Sequence, residues 1–280
     1  MPTSGLGEFE VADFGEVVAG PRRRPLRVWR GVVLLIAGVY FLGPIYASVH
    51  FALENDAGHF SLYAVKAIPS EVGFSAAFWL SMHVGLVTVV LTMALMVPTA
   101  VYVHLRLPKL RRLMDFVTIL PIVIPPIVLA LPITRDAPLW LRSSPYLLSL
   151  VYVILAMPFV YRSLDAGLSA IDLKTLVEAS RSLGGNWFST LFRVVLPNLR
   201  SALLSATVLT IALVLGEFTM ASLDLWTTLP VWIYGFGQVD SHVATAVAMA
   251  TLIGTWLLLW LIVSLDRSQS RRSRRRAGTQ

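Results

Sequence analysis

The lysines and arginines of this chain are sorted between alternate segments that separate its apolar runs. Of the 23 basic residues, 20 lie in four segments, 1–31, 104–115, 162–200 and 266–280. The remaining three are Lys66, Arg135 and Arg142, which lie in the intervening segments. Because Lys and Arg are retained on the cytoplasmic side of a membrane, the split predicts six membrane spans. It also places both termini and the 162–200 segment inside the cell.

The composition supports an integral membrane protein. The chain is 56% hydrophobic and 14% charged, with a mean hydropathy of +0.72, whereas soluble domains carry about 25% charged residues. We therefore predict an all-α integral membrane fold in the lipid bilayer. It has a cytoplasmic N-terminal tail (1–31), a transmembrane domain (32–265) and a basic cytoplasmic C-terminal tail (266–280). The six predicted spans are 32–50, 78–103, 116–133, 145–161, 201–223 and 242–265.

Several functional classes lack the residues that they need. Without cysteine there is no disulfide or thiolate metal site. No Gly-Lys pair is present, which excludes a P-loop and an ATP site on this chain. The five histidines are scattered, so we expect no metal site, no cofactor and no enzymatic activity on this chain. Because the basic residues mark membrane topology, they give no reason to expect a nucleic-acid partner.

Glu217, in VLGEFTMAS, is the one carboxylate that the pattern places inside a span. A buried charge in a membrane usually faces a bundle interior or a cavity. Glu217 then either lines a solute path or lies hydrogen-bonded near the outer end of its helix. Prolines at membrane depth leave carbonyls free, and these carbonyls need neighbouring helices or a water-lined cavity as partners. We therefore assign Pro125 and Pro126, together with Glu217, to the expected solute path. Other polar and aromatic positions are predicted at helix ends, in solvated loops or at headgroup level, namely Asp165, Asp224, Asp240, Trp226, Trp232 and Tyr234.

The segment Glu178–Pro197, EASRSLGGNWFSTLFRVVLP, is the one long polar stretch between spans. Its polar and apolar residues alternate as in an amphipathic helix, a Gly184-Gly185 break and a second short helix. A Leu-Pro pair follows. The segment is too polar to cross a bilayer and too apolar for a bare linker, which indicates a partner surface.

The spacing of this segment resembles the EAA loop of inner-membrane permease subunits of binding-protein-dependent ABC importers (MetI-like, type I). Glu-Ala-Ser at 178–180 is followed by three residues, Gly184, nine residues, Val194, one residue and Leu196-Pro197. Ser180 and Val194 depart mildly from the Ala and Ile of the family pattern. The Ile171-Asp172 pair ahead of the motif and PIVIPPIVLALP in the third span also look like the family.

The resemblance implies a multi-pass permease of the bacterial inner membrane that does no bond chemistry itself. A cytoplasmic ATPase dimer would carry ATP and magnesium and would bind the coupling helix. A second permease subunit and an extracytoplasmic solute-binding protein would complete the system. Gly184 would allow a turn where a Cβ would clash. The residues expected to couple to the ATPase are Asp172, Glu178, Ala179, Ser180, Gly184, Val194, Leu196 and Pro197.

The substrate is less constrained. VLGEFTMASL followed by TLPVWIYGF looks most like permeases of polyamine (spermidine or putrescine) importers, and an acidic Glu217 would suit a cation. Ferric iron, thiamine, phosphonates, opines and molybdate remain alternatives within the same machinery. A self-contained secondary transporter or channel is the alternative from a different class, although the sequence shows no convincing internal repeat.

Overall fold

The computed structural model describes residues 27–55 and 57–277, and the side chains of residues 29–55 and 57–264. The described residues form helices without a β-strand, apart from one isolated bridge between Glu54 and Phe60. Residues 1–26 and 278–280 of the two predicted tails lie outside the described part. The helices are α1 (Arg27–Ala52), α2 (Tyr63–Ala67), α3 (Phe74–Arg106), α4 (Arg111–Val123), α5 (Pro126–Asp136), α6 (Leu139–Arg142), α7 (Tyr146–Ser169), α8 (Leu173–Ser182), α9 (Trp187–Thr190), α10 (Leu196–Asn198), α11 (Arg200–Gly216), α12 (Thr219–Leu223), α13 (Leu229–Phe236) and α14 (Ser241–Ala277).

The chain divides into two compact units, Met1–Ala47 and Ser48–Gln280. The described part of the first unit is α1 as far as Ala47. The second unit contains the remaining helices. Within the described residues, four helices are long and apolar enough to cross a membrane, and the number rises to six if each of two bent helix pairs counts as one span. The all-helical membrane class predicted from the sequence is confirmed.

The third predicted span, 116–133, is not one straight helix. Helices α4 and α5 meet at an angle of 92°, with Ile124 in an extended conformation between them. Proline disfavours helical geometry in the residue before it, and two successive prolines, Pro125 and Pro126, remove two backbone donors. The Pro-Pro pair therefore breaks the span, and α5 begins at Pro126 where a missing N–H is harmless.

The fourth and fifth predicted spans also differ from the helices. The fourth, 145–161, extends as α7 to Ser169, so the first part of the predicted 162–200 loop is helical. The fifth, 201–223, is interrupted because α11 ends at Gly216 and Glu217 is extended before α12. With 17 residues, α11 is at the lower limit of membrane-spanning length.

Helix α7 is the centre of the second unit and packs against α3, α4 and α11. In lipid, helices associate mainly through close packing and polar contacts, and small residues allow that packing. At Gly167 of α7 an added Cβ would lie 2.5 Å from Cβ of Ala202 on α11. Only glycine therefore permits this approach of the two helices.

Two apolar clusters lie along α7. The loop-side cluster surrounds the C-terminal half of α7 and joins it to α3 and to the segment after α7. Its buried members are Met96, Val97, Ala100, Val101, Ala156, Val160, Tyr161, Leu164, Leu168, Leu173, Val177, Leu191, Val195, Leu199 and Ala206. The break-side cluster surrounds the N-terminal half of α7 and includes the interrupted fifth span. Its buried members are Val84, Ala130, Leu148, Val151, Tyr152, Val214, Met220 and Ala221.

Trp232 does not have the exposed headgroup position expected from the sequence. Its indole N–H donates to the carbonyl of Val72 at 3.0 Å, and its ring stacks on Phe236 with centroids 4.6 Å apart. The side chain is buried, whereas Tyr234 on the same helix is 64% exposed. Trp232 thus holds α13 against the chain that enters α3.

Candidate functional site

The N-terminus of α8 is fixed by Asp172. Its carboxylate accepts a hydrogen bond from the amide of Thr175 at 3.2 Å and another from the Thr175 hydroxyl at 2.7 Å. These two bonds stabilise the charged form and lower the pKa of Asp172. One face of α8 buries Leu173 and Val177 in the loop-side cluster, so Asp172 starts a helix that lies on the chain's own core.

Helix α8 ends in a Schellman motif. The amide of Gly184 donates to the carbonyl of Arg181, and the amide of Gly185 donates to the carbonyl of Ser180, both at 2.9 Å. This pattern needs a left-handed residue after the helix, and Gly184 supplies it with φ of +81°.

Both glycines of the turn are needed, for different reasons. A Cβ on Gly184 would meet no distant atom within 4 Å, but its left-handed φ would bring that Cβ against the adjacent backbone, as the sequence analysis expected. A Cβ on Gly185 would lie 2.7 Å from the carbonyl oxygen of Ser180, a close contact that the sequence analysis did not single out.

Ser180 links the two short helices of the segment. Its hydroxyl lies 2.8 Å from the hydroxyl of Thr190, which is buried. Asn186 begins α9 by accepting the amide of Ser189 at 2.8 Å. The serine in place of the expected third-position alanine therefore closes the turn with a hydrogen bond that an alanine could not make.

The surface of the segment away from the core is bare and partly apolar. We call the residues Glu178, Leu183, Phe188 and Phe192 the coupling face, after the role that the family resemblance leads us to expect. The side chain of Leu183 is 90% exposed, that of Phe188 69% and that of Phe192 61%. Glu178 has only a long, exposed contact of 3.9 Å with Lys174, and such surface pairs are worth little. Large apolar side chains grouped on a surface mark an interaction site.

The segment ends in a π-helical turn and the short helix α10, which contain Val194, Leu196 and Pro197. Val194 and Leu196 are half-buried, and Pro197 is exposed. A π-helical turn, Leu191–Val195, precedes α10, and Asn198 donates its side-chain amide to the carbonyl of Val194 at 2.7 Å. The expected stop at Leu196-Pro197 lies just before an 80° bend into α11.

The carboxylate of Glu217 is occupied by the chain's own donors. Both of its oxygens lie 3.0 Å from the amide of Met220, and the Tyr152 hydroxyl donates to Oε2 at 3.0 Å. Glu217 thus caps the start of α12 and ties it to α7. Tyr152 lies 65 positions away in the chain, and nothing in the sequence pattern singled it out.

The bend at Pro125 and Pro126 leads into α5, which packs against α12. Thr134 of α5 donates its hydroxyl to the carboxylate of Asp224 just after α12. Asp224 is half-buried, so the expected solvated loop residue is instead a contact between the two interrupted spans. The structure brings Glu217 together with Tyr152, while the two prolines form the bend itself.

Comparisons with known proteins agree with this arrangement. Residues 96–275 match the family described as binding-protein-dependent transport system inner membrane component. A solved bacterial ABC transporter involved in the import of the acidic polysaccharide alginate has the same fold, with a TM-score of 0.62 and 14% identity. The match covers 88% of this chain and 96% of that one.

Curated relatives carry several substrate names. A Haloferax volcanii protein named for molybdenum transport is 33% identical over 220 residues, which cover 74% of this chain and 78% of the relative. Shorter matches are a sulfate permease of Synechococcus elongatus (37% identical, 27% of this chain and 26% of the relative) and a ferric permease of Actinobacillus pleuropneumoniae (33%, 35% and 15%). By the family match over most of its length, this chain belongs to the inner-membrane permease components of binding-protein-dependent ABC transport systems.

Proposed function

We propose that the chain admits a tetrahedral oxyanion of the molybdate class through an ABC importer of the bacterial inner membrane. In this proposal two cytoplasmic ATPase subunits bind ATP and magnesium, a second permease subunit encloses the path, and a binding protein delivers the solute outside. Both termini and the coupling face lie in the cytoplasm, which follows from the sorting of basic residues between segments.

Support for the coupling role comes from the two sides of the 172–199 segment. One side is buried in the loop-side cluster with α3 and α7. The other side presents Leu183, Phe188 and Phe192 without cover. A protein that binds this bare face therefore pushes on a segment that is packed against two spans. Movement of an ATPase on ATP binding would reach the membrane through this packing.

The observation that carries the substrate proposal is the environment of Glu217. Both oxygens of Glu217 accept the Met220 amide and one also accepts the Tyr152 hydroxyl. These contacts give Glu217 a structural role that needs no cationic solute, and none of the relatives above is named for a polyamine. The relative that is 33% identical over 220 residues is named for molybdenum transport.

The experiment is uptake into vesicles that contain the assembled transporter and internal ATP. Molybdate, sulfate, spermidine and ferric iron are offered separately, each with the cognate binding protein. We expect ATP-dependent uptake of molybdate, with sulfate as the weaker competitor, and none of spermidine. Uptake of spermidine or ferric iron, with no uptake of molybdate, would refute molybdate as the substrate. Uptake that needs no ATP would favour a secondary transporter.

A variant separates the coupling role from the solute path. Glu178→Lys reverses an exposed charge of the coupling face and should abolish uptake and release the ATPase. Lys174→Glu, one turn away on the same helix, is the matched control and should leave both unchanged. Equal effects of the two substitutions would contradict a specific coupling face.

A further inference from the structure

The ends of three helices meet at the carboxylate of Asp165. Arg111, the first residue of α4, donates to Oδ1 from Nη2 at 2.8 Å and from Nε at 3.2 Å. His104, in the last turn of α3, places Nε2 at 3.1 Å from the same oxygen. The sequence analysis expected a helix-end residue at the surface. Instead Asp165 lies inside α7, half-buried, in an ion cluster that joins α3, α4 and α7.

The cluster is fixed by further bonds. Arg111 also donates to the hydroxyl of Ser169, the last residue of α7, at 2.8 Å. The Tyr161 hydroxyl donates to the carbonyl of Arg111 at 3.4 Å, and Nδ1 of His104 lies 2.9 Å from the carbonyl of Ala100. Several bonds orient each partner, which favours one arrangement of the three helix ends. A partly buried, multiply bonded cluster is worth more than an exposed pair.

Helix α4 packs along α7 and places Met114 against the loop-side cluster, but it buries few of its own side chains completely. Thr118 is the only buried residue of α4. Most of its large apolar side chains are exposed, among them Leu113, Phe116 and Val123 at 54%, 64% and 72%. Helix α4 contacts α7, and the ion cluster is the strongest polar link of that contact among the described residues.

The cluster lies between the two candidate sites. Ser169 ends α7 just before Asp172 begins α8, so the coupling segment continues directly from the helix that carries Asp165. In the other direction α4 leads to the bend at Pro125, and α5 beyond the bend packs against α12. Asp165 therefore lies on a continuous series of contacts from the coupling segment to the third span.

We propose that Asp165 is a positioning residue that transmits movement of the coupling segment to the broken third span. The contact from Asp165 to Arg111 makes α4 follow the end of α7. His104 lies beside the carboxylate on the side of α3, with Nε2 3.1 Å from Oδ1. This role rests on the proposed function, because it requires an ATPase that moves the coupling segment.

The test uses the assembled transporter in vesicles, with Asp165→Asn, Arg111→Gln, their double variant and the conservative Asp165→Glu. Asp136→Asn, at the exposed end of α5, is the matched control. ATPase co-purification, basal ATP hydrolysis, its stimulation by the loaded binding protein and uptake are measured at equal amounts of complex. We expect Asp165→Asn to keep assembly and basal hydrolysis while uptake and stimulation fall about tenfold or more. The double variant should be no worse than either single one.

A distance measurement distinguishes transmission from stability. The chain has no cysteine, so spin labels attach only to Arg112→Cys on α4 and Ala166→Cys on α7, both exposed positions. With Asp165 intact, the distribution of distances between the two labels should be narrow both with and without ATP. With Asp165→Asn the distribution should broaden on ATP binding, and Asp165→Glu should restore it.

The failing outcomes are distinct. Uptake by Asp165→Asn within about twofold of the unmodified complex would overturn the proposal. The proposal would also be overturned if Asp165→Asn lost uptake only because the complex no longer assembled. An Asp165→Asn distance distribution that does not change on ATP binding would overturn it too. If the unmodified chain does not co-purify with an ATPase, the proposed function fails first.

Discussion

Replacing Gly184 tests the turn that separates the two helices of the coupling segment. Its φ of +81° is a left-handed conformation, which costs an L-residue about 1–2 kcal/mol. Because about 1.4 kcal/mol corresponds to tenfold in an equilibrium constant, Gly184→Ala should lower the population of the native turn about 5- to 30-fold. Asparagine tolerates this conformation better than alanine, so Gly184→Asn should lower the population of the native turn by a smaller factor than Gly184→Ala.

Replacing Gly185 should reduce uptake by a different amount, because the obstacle there is a steric contact and not a left-handed backbone. A Cβ at Gly185 would lie 2.5 Å from the Ser180 hydroxyl and 2.7 Å from the Ser180 carbonyl oxygen. The hydroxyl can rotate away, but the carbonyl belongs to the helix and cannot move alone. Gly185→Ala should therefore displace the turn, and its loss of uptake should exceed that of Gly184→Ala.

The assay is ATP-dependent uptake together with ATPase co-purification, at membrane levels of protein checked by quantitative blotting. Gly254→Ala is the control, because a Cβ at Gly254 meets nothing within 4 Å and its φ is not positive. The expected order of uptake is Gly254→Ala, Gly184→Asn, Gly184→Ala and Gly185→Ala. If Gly184→Asn were worse than Gly184→Ala, the argument from the left-handed conformation would be refuted.

Three further substitutions test other contacts of the second unit. The hydrogen bonds to Asp172 lower its pKa. They therefore stabilise the start of α8 fully at pH values above the ordinary carboxyl pKa of about 4, and this stability is lost as the pH falls through the lowered pKa. Asp172→Ala should leave amide exchange in α8 unchanged in acid and make it faster at neutral pH. Ser180→Ala should cost about 1–3 kcal/mol by leaving the buried Thr190 hydroxyl unpaired, whereas adding Thr190→Val should recover most of the lost thermal stability. Gly167→Leu should separate α7 from α11 at Ala202 and lower the unfolding temperature of the purified protein, and a temperature equal to that of the unmodified chain would contradict this packing.

The helices could be predicted well where one signal dominates. Apolar runs flanked by basic residues predicted α1, α3 and α14 to within a few residues at their described starts. The sorting of charge depends on chain order and needs no tertiary structure. The boundaries failed where polar and helical character overlap, as in α7, whose last turns carry Asp165 and remain helical to Ser169.

The breaks within spans were harder to place. The prolines at 125 and 126 predicted a perturbed span but gave no angle, because neighbouring helices decide how a freed backbone bends. At Gly216 there is no proline, and the helix ends without a local breaker other than glycine. The carboxylate of Glu217 is consistent with this end, since it caps α12 and so replaces the carbonyl acceptors that a continuing helix would have offered to the first amides of α12.

The same limit applies to function. A pattern shows which residue types occur at which spacing, and this sufficed for the helix, glycine break and second helix of the 172–199 segment, whose parts are close in the chain. Whether a carboxylate is free to meet a solute depends on donors that arrive from elsewhere, and the Tyr152 hydroxyl comes from another helix. Of the two alternatives for Glu217, the structure supplies the hydrogen bonds of the structural one, and a place in the solute path stays a prediction. In the proposed function, this permease contributes a path and a lever, and solute selection is expected to reside in its binding protein.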